Sequence, residues 1–239
     1  MQIEHPEEQG SSLGISKVLK EEARLLEEGR NRDSLTDTAF KKVPSKGASF
    51  WTWTRFIISL YYNKLAVNMF GFLTGWKWYN RIDNVIILGA LPTPSLIKSL
   101  HKHENVKAVI NLCEEFPGYD RIYEQCMIKQ VRLETPDFCI PSLETIEKGI
   151  QQIHEIIQND EKSSIYLHCK AGRGRSAAIA LCYLLATYQL DPFEAQKVLN
   201  KKRPQADKDL YVSEEIRLFY KNLLSKLESN QFIRKPFPF

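Results

Sequence analysis

Leu143, Ile146, Ile150, Ile153 and Ile157 recur three or four residues apart with polar residues between them. That period places them on one face of a helix, and Ser142 stands where an N-cap belongs, so a helix is predicted over Ser142–Gln158. Upstream, short apolar runs predict strands at Val85–Leu88, just before Gly89, at Lys107–Leu112 and at Ile128–Leu133. Downstream, Ser164–His168 (SIYLH) predicts a fourth strand and Ser176–Tyr188 an apolar helix. Further helices are predicted over Pro94–His103, behind Thr93 or Ser95, and over Tyr119–Cys126. Two more run from the cap and first-turn proline Asp191-Pro192 to about Lys202, and over Ser213–Leu227. Strands alternating with helices from residue 81 onward imply an α/β fold, a central and mostly parallel sheet flanked by helices.

The pattern before residue 80 is different. Residues 1–46 hold 9 acidic and 8 basic residues and few apolar ones, so they read as a polar, mobile extension with at most a short charged helix around Ile15–Glu28. Residues 1–30 lack an apolar core and carry seven glutamates, which predicts neither a secretory signal nor an ordinary mitochondrial presequence there. Residues 47–80 hold no acid, three bases (Arg55, Lys64, Lys77), all four tryptophans and 11 of the 26 Phe, Trp and Tyr residues. On a helix, Ile58, Tyr61, Tyr62, Leu65, Met69, Phe72 and Leu73 share a face, and Trp51, Trp53, Trp76 and Trp78 bracket the run. Asn63, Lys64 and Asn68 interrupt it, so a helix lying in a membrane interface fits better than a span; a helix docked on the catalytic domain is the alternative. The expected organisation is residues 1–46 as extension, 47–79 as a membrane-associating segment, 80–228 as the catalytic domain and 229–239 as a tail.

A formal net charge of +4 does not call for a nucleic-acid partner. Five cysteines do not make a disulfide scaffold; they fit a reducing compartment and one reactive thiol. No spacing resembles a zinc site, and neither a metal nor another cofactor is expected.

One stretch carries the chemistry. His168-Cys169-Lys170-Ala171-Gly172-Arg173-Gly174-Arg175-Ser176 joins an apolar strand to an apolar helix. N–H groups of a loop and helix start at such a junction can converge on an anion, with Gly172 and Gly174 supplying the backbone freedom. Arg175 offers a planar fork for two phosphate oxygens, and the positive surroundings make Cys169 a thiolate nucleophile. Lys170 and Arg173 add two cations, aimed either into the same pocket or out to solvent. A lipid headgroup with a second phosphate would use that charge.

The string resembles the H-C-x-x-G-x-x-R-S signature of the cysteine-dependent phosphatases. The resemblance implies a dual-specificity phosphatase-like fold and a phosphate-binding loop of Lys170, Ala171, Gly172, Arg173, Gly174 and Arg175. It further implies a general acid on a separate loop about thirty residues earlier, where Asp137 lies in Glu134-Thr135-Pro136-Asp137, with Glu134 as fallback. Ser176 would bond the cysteine sulfur and help expel it, and His168 would orient the loop by hydrogen bonding, with a plain core histidine as the alternative.

Trp78-Tyr79-Asn80-Arg81-Ile82-Asp83, VIILGALP from Val85, and Asn111-Leu112-Cys113-Glu114-Glu115-Phe116 narrow the resemblance over roughly residues 70–225. They look like the mitochondrial protein-tyrosine-phosphatase-like lipid phosphatases. That resemblance implies phosphatidylglycerophosphate as an anionic phospholipid substrate, phosphatidylglycerol as product on the way to cardiolipin, and a place on the mitochondrial inner membrane. Phosphoprotein or phosphoinositide phosphatase activity is the alternative, and a phosphate-binding adaptor a weaker one.

Overall fold

The computed structural model describes residues 76–228. Five strands form one sheet in the order β1-β2-β5-β3-β4: β1 (Tyr79–Arg81), β2 (Ile86–Gly89), β3 (Val106–Cys113), β4 (Lys129–Thr135) and β5 (Ser164–His168). The pairs β2–β5, β5–β3 and β3–β4 are parallel, while β1 pairs antiparallel with β2. The helices are α1 (Pro94–His103), α2 (Asp120–Gln125), α3 (Leu143–Asn159), α4 (Arg175–Tyr188), α5 (Pro192–Lys202) and α6 (Glu214–Glu228).

The two faces of the sheet carry separate cores. Ile87, Val109 and Tyr166 meet Ile97 and Leu100 of α1 and Tyr123 of α2 on one face. On the other, Ile86, Leu88, Ile110, Ile165 and Leu167 meet α3, α4 and α6. Alternation along each strand produces this division, because successive side chains point to opposite faces. Helix α4 is apolar all round because it lies between the sheet and the outer helices; every residue from Arg175 to Ala186 is buried. Each fully buried leucine or isoleucine there contributes roughly 1.5–3 kcal/mol.

The predicted caps are present. The side chains of Thr93, Ser142 and Asp191 accept from backbone N–H groups in the first turns of α1, α3 and α5. Strand β4 runs two residues beyond its predicted end, since Thr135 still pairs with Cys113 after a register shift in β3. Strand β1 is an element the apolar pattern did not predict. Its burial is intermediate throughout, so three residues of an edge strand carry no alternation to read. The expected boundary between residues 79 and 80 falls inside it.

Residues 47–75 of the expected membrane-associating segment, the extension 1–46 and the tail 229–239 lie outside the described residues. Trp76 and Trp78, read as the second half of a tryptophan bracket, pack on the catalytic domain. Trp78 Nε1 donates to Leu91 O at 3.1 Å, and the Arg173 guanidinium lies 5.5 Å from the Trp76 ring centre. Among the described residues no helix is long and apolar enough to cross a membrane.

Candidate active site

Cys169 follows β5 directly, in the middle of the sheet, and α4 starts six residues later. Its sulfur accepts from Ser176 Oγ at 3.2 Å and from the Gly172 N–H at 3.3 Å. Burial alone pushes the thiol up, but the Arg175 charge and the hydrogen bonds from Ser176 and Gly172 outweigh it and hold Cys169 below the ordinary thiol range.

The loop between them is locked from several directions. Gly172 has φ +67°, and a Cβ there would lie 2.3 Å from Gly89 O, so only glycine fits. Gly174 has φ −98° and is the N-cap of α4, so the left-handed freedom expected at both glycines is used at Gly172 alone. Leu91 N donates to Lys170 O at 3.1 Å, which brings the Gly89–Leu91 backbone directly against the loop. The VIILGALP string therefore builds the wall of the cradle. In the W-Y-x-R-I-D string, Asp83 is a buried anchor: it accepts from the N–H groups of Val85 and Ile86 and from the hydroxyls of Tyr183 and Tyr188.

Arg175 is buried and held at both ends of its fork. Nη1 and Nη2 each donate to Glu115 at 2.9 Å, Nη1 also donates to Thr135 O at 3.0 Å, and Nη2 to Asp137 Oδ1 at 2.8 Å. Burial disfavours its charge, but the Glu115 bonds, together with electrostatic attraction from Cys169, Cys113 and Glu115 nearby, more than offset this and keep the guanidinium protonated. Glu115 is a site residue that sequence reasoning quoted without a role. It reaches Arg175 because Asn111 folds the end of β3: Asn111 Oδ1 accepts from Cys113 N at 2.9 Å and Nδ2 donates to Phe116 O at 2.8 Å.

Asp137 sits on the loop after β4 and forms ion pairs with both Arg175 and Lys170. The candidate acid thus stands at the mouth of the cradle, where the fallback Glu134 does not: Glu134 is 58% exposed and pairs with Arg132. The two extra cations of the loop diverge. Lys170 is buried and turned to Asp137, whereas Arg173 is 44% exposed and bonds Asp207. His168 is fully buried, stacks on Tyr166, and its Nδ1 lies 3.3 Å from Cys169 O. Burial, with repulsion from Arg175, lowers its pKa to about 3, so it is a neutral ring and not a base.

A second residue escaped sequence reasoning. Arg203, at the C-cap of α5, is fully buried and bonds the carbonyls of Gly172 at 2.6 Å and Ala171 at 3.0 Å from behind the loop. Its only visible signal was a basic residue in the Arg203-Pro204 pair ending a helix. Among the described residues no group of three or more His, Cys, Asp or Glu side chains gathers in a way that could hold a metal.

Residues 86–222 match the dual specificity phosphatase catalytic domain. The chain is 36% identical over 132 residues to the human phosphatidylglycerophosphatase and protein-tyrosine phosphatase 1, covering 53% of this chain and 65% of that one. Its match to the rat protein of the same name is 30% over 193 residues, covering 77% and 99%. The crystal structure of PTPMT1 superposes with a TM-score of 0.58 at 31% identity, over 64% of this chain and all of that one. A second structure, PTPMT1 in complex with PI(5)P, gives 0.57 at 31% identity, over 63% and 99%. A catalytic domain matched over more than half the chain, on a fold that sets cysteine and arginine in one phosphate loop, is decisive: this protein belongs to the dual specificity phosphatases, a branch of the cysteine-dependent phosphatases, and is closely related within them to PTPMT1.

Proposed function

We propose that the protein hydrolyses phosphatidylglycerophosphate to phosphatidylglycerol through a phosphocysteine, at the mitochondrial inner membrane. The observation that carries the covalent route is the sulfur of Cys169, bonded by Ser176 and Gly172 beside the Arg175 guanidinium. The lipid substrate is supported by the names of the related human and rat proteins and of two plant relatives, phosphatidylglycerophosphate phosphatases of Arabidopsis thaliana.

In this reading the Cys169 thiolate attacks phosphorus while Arg175 and the loop N–H groups hold the phosphoryl oxygens, charge stabilisation built in before the reaction starts. Phosphoryl oxygens and the Asp137 carboxylate compete for the same guanidinium nitrogen. When phosphate takes it, Asp137 takes up a proton from solvent and, kept in place by Lys170, stands beside the departing glycerol oxygen and gives that proton to it as the P–O bond breaks. In the second step Asp137 accepts a proton from water as water attacks the phosphocysteine. The S–P bond breaks, phosphate leaves, and Ser176 Oγ–H stabilises the returning thiolate. Residues 47–79 bring this site to an anionic membrane surface, Arg55 and Lys64 meeting the headgroups.

The test is phosphate release by the purified chain on three substrates: phosphatidylglycerophosphate in vesicles, PI(5)P in the same vesicles, and a phosphotyrosine peptide. The expected order of kcat/KM puts phosphatidylglycerophosphate first. A higher value on the peptide moves the chain to the protein phosphatases, and a higher value on PI(5)P to the phosphoinositide phosphatases. Co-sedimentation with anionic vesicles, reduced in Ile58→Glu/Leu65→Glu, tests the membrane segment; an equal pellet for a folded double mutant removes it from the reading.

A further inference from the structure

Arg203 is a buried cation that pairs with no carboxylate among the described residues. Besides Gly172 O and Ala171 O, it donates to Asn80 Oδ1 at 2.8 Å and to Lys77 O at 3.5 Å. A guanidinium taken out of water is costly unless its donors are satisfied, and here neutral oxygens alone satisfy them. Burial lowers its pKa to about 10, with Tyr166 and Cys169 acting in the opposite direction, so it stays charged at neutral pH.

What it grips matters. In a planar peptide the C=O of one residue and the N–H of the next point in opposite directions. Holding the Ala171 carbonyl from behind therefore turns the Gly172 N–H forward, and that N–H is the one bonded to the Cys169 sulfur. Holding the Gly172 carbonyl likewise turns the Arg173 N–H forward. A cation on the carbonyl oxygen also polarises the peptide and strengthens its N–H as a donor.

We propose that Arg203 is a positioning residue of the phosphate cradle: from outside the loop it fixes and polarises the two peptide units whose N–H groups meet the Cys169 sulfur and the phosphoryl oxygens. This rests on the reading of Cys169 as nucleophile. Asn80 and Lys77 complete the grip, so the short edge strand β1 serves the active site through Arg203. Other ionisable groups surround the loop, and among them the Arg175 charge is the one that lowers the thiol. Arg175 lies on α4, with Cys113 and Glu115 at the end of β3 and Asp137 after β4. Tyr166 and His168 lie on β5 itself, and Lys170 and Arg173 on the loop.

The experiment separates the charge from the fork, in a Cys139→Ser background because Cys139 is the exposed cysteine of the described residues. Arg203→Met removes both; Arg203→Lys keeps the charge and loses the planar fork. The first readout is the rate of iodoacetamide alkylation of Cys169 against pH, which needs no turnover. Arg203→Met is expected to move the midpoint up by about one pH unit, roughly a tenfold slower reaction at a pH well below both midpoints, and Arg203→Lys to restore most of it. The second is turnover of an aryl phosphate, expected to fall about tenfold or more in both variants, because lysine cannot hold two carbonyls at once. A folded Arg203→Met variant with the parent midpoint and kcat within about threefold of the parent overturns the proposal. If that variant does not fold, Arg203→Lys decides: turnover equal to the parent overturns the proposal, and a tenfold loss at unchanged Tm supports it. Fast alkylation that survives in Cys169→Ser overturns the nucleophile reading itself, and the proposal with it.

Discussion

Two loops meet at this active site, and each holds one residue in the left-handed backbone region: Gly172 at φ +67° in the cradle and Phe138 at φ +64° beside the acid. At Gly172 a side chain would run into the Gly89 backbone and the Arg203 guanidinium. At Phe138 the ring is 79% exposed, with Lys170 Nζ 5.1 Å from its centre, so a large side chain is accommodated at the cost of backbone strain alone. The cradle is backed by the Gly89–Leu91 backbone and by the buried Arg203 side chain. The acid loop hangs on ion pairs from Asp137 to Arg175 and Lys170. One loop is thus shaped before any phosphate arrives, and the other is held in part by the Arg175 contact, which a phosphate itself can replace. In the proposed mechanism the nucleophile and the anion-binding groups belong to the first, and the acid that protonates the leaving group to the second.

The largest effect should come from the rigid side. Cys169→Ser should leave less than about one percent of wild-type phosphate release with the fold intact by circular dichroism, since a hydroxyl here is a far weaker nucleophile than a thiolate. Turnover above a few percent would remove the covalent route. On the movable side, Asp137→Ala should cut kcat on the phospholipid by about 10²–10⁴, and much less on an aryl phosphate whose leaving group needs little help. Equal losses on both substrates would make Asp137 a structural residue.

Gly172→Ala probes the packing that distinguishes the loops. It should lower kcat by roughly two orders of magnitude, as a misplacement near 1 Å does, and cost about 1–3 kcal/mol in denaturant titrations. A variant as stable and active as the wild type would mean the cradle yields more easily than its contacts indicate. Glu115→Gln keeps the shape beside Arg175 and removes the charge. Charge-assisted bonds of about 1.5–3 kcal/mol correspond to a fall in kcat/KM of about 10- to 100-fold. A drop confined to stability would place Glu115 outside the site's chemistry. The smallest effect should be Phe138→Gly, which relieves strain, adds freedom to the unfolded chain and forfeits one exposed ring contact. Stability should stay within about 1 kcal/mol while kcat changes no more than a few-fold. A loss as large as that of Gly172→Ala would erase the contrast between the loops.

Much of this architecture was legible along the chain. Local signals set each element: Ser142 and Asp191 cap their helices, the spaced isoleucines of α3 face the core, and the SIYLH run enters the sheet. The Cys169–Ser176 loop was legible for the same reason, since its cysteine, glycine, arginine and serine act on one another within eight consecutive residues. The edge strand β1 was not, because its partner β2 and its ties to Arg203 supply the order that its own pattern lacks.

Residue types and their spacing by themselves determined the class of chemistry, the strands and helices from β2 onward, and the Cys169–Ser176 loop as the place to look for a nucleophile and its arginine. Tertiary structure alone decided who holds them. Glu115 lies 60 residues from Arg175 along the chain, and Arg203 lies 31 from Gly172. Only the strand order and the seat of α5 bring them to bonding distance. It also sent Lys170 to the acid and Arg173 to Asp207, though both stand in the same short loop. A sequence pattern reports interactions between near neighbours, whose geometry the backbone period fixes. Contacts between distant residues depend on which surfaces pack, and that is settled only when the whole core closes.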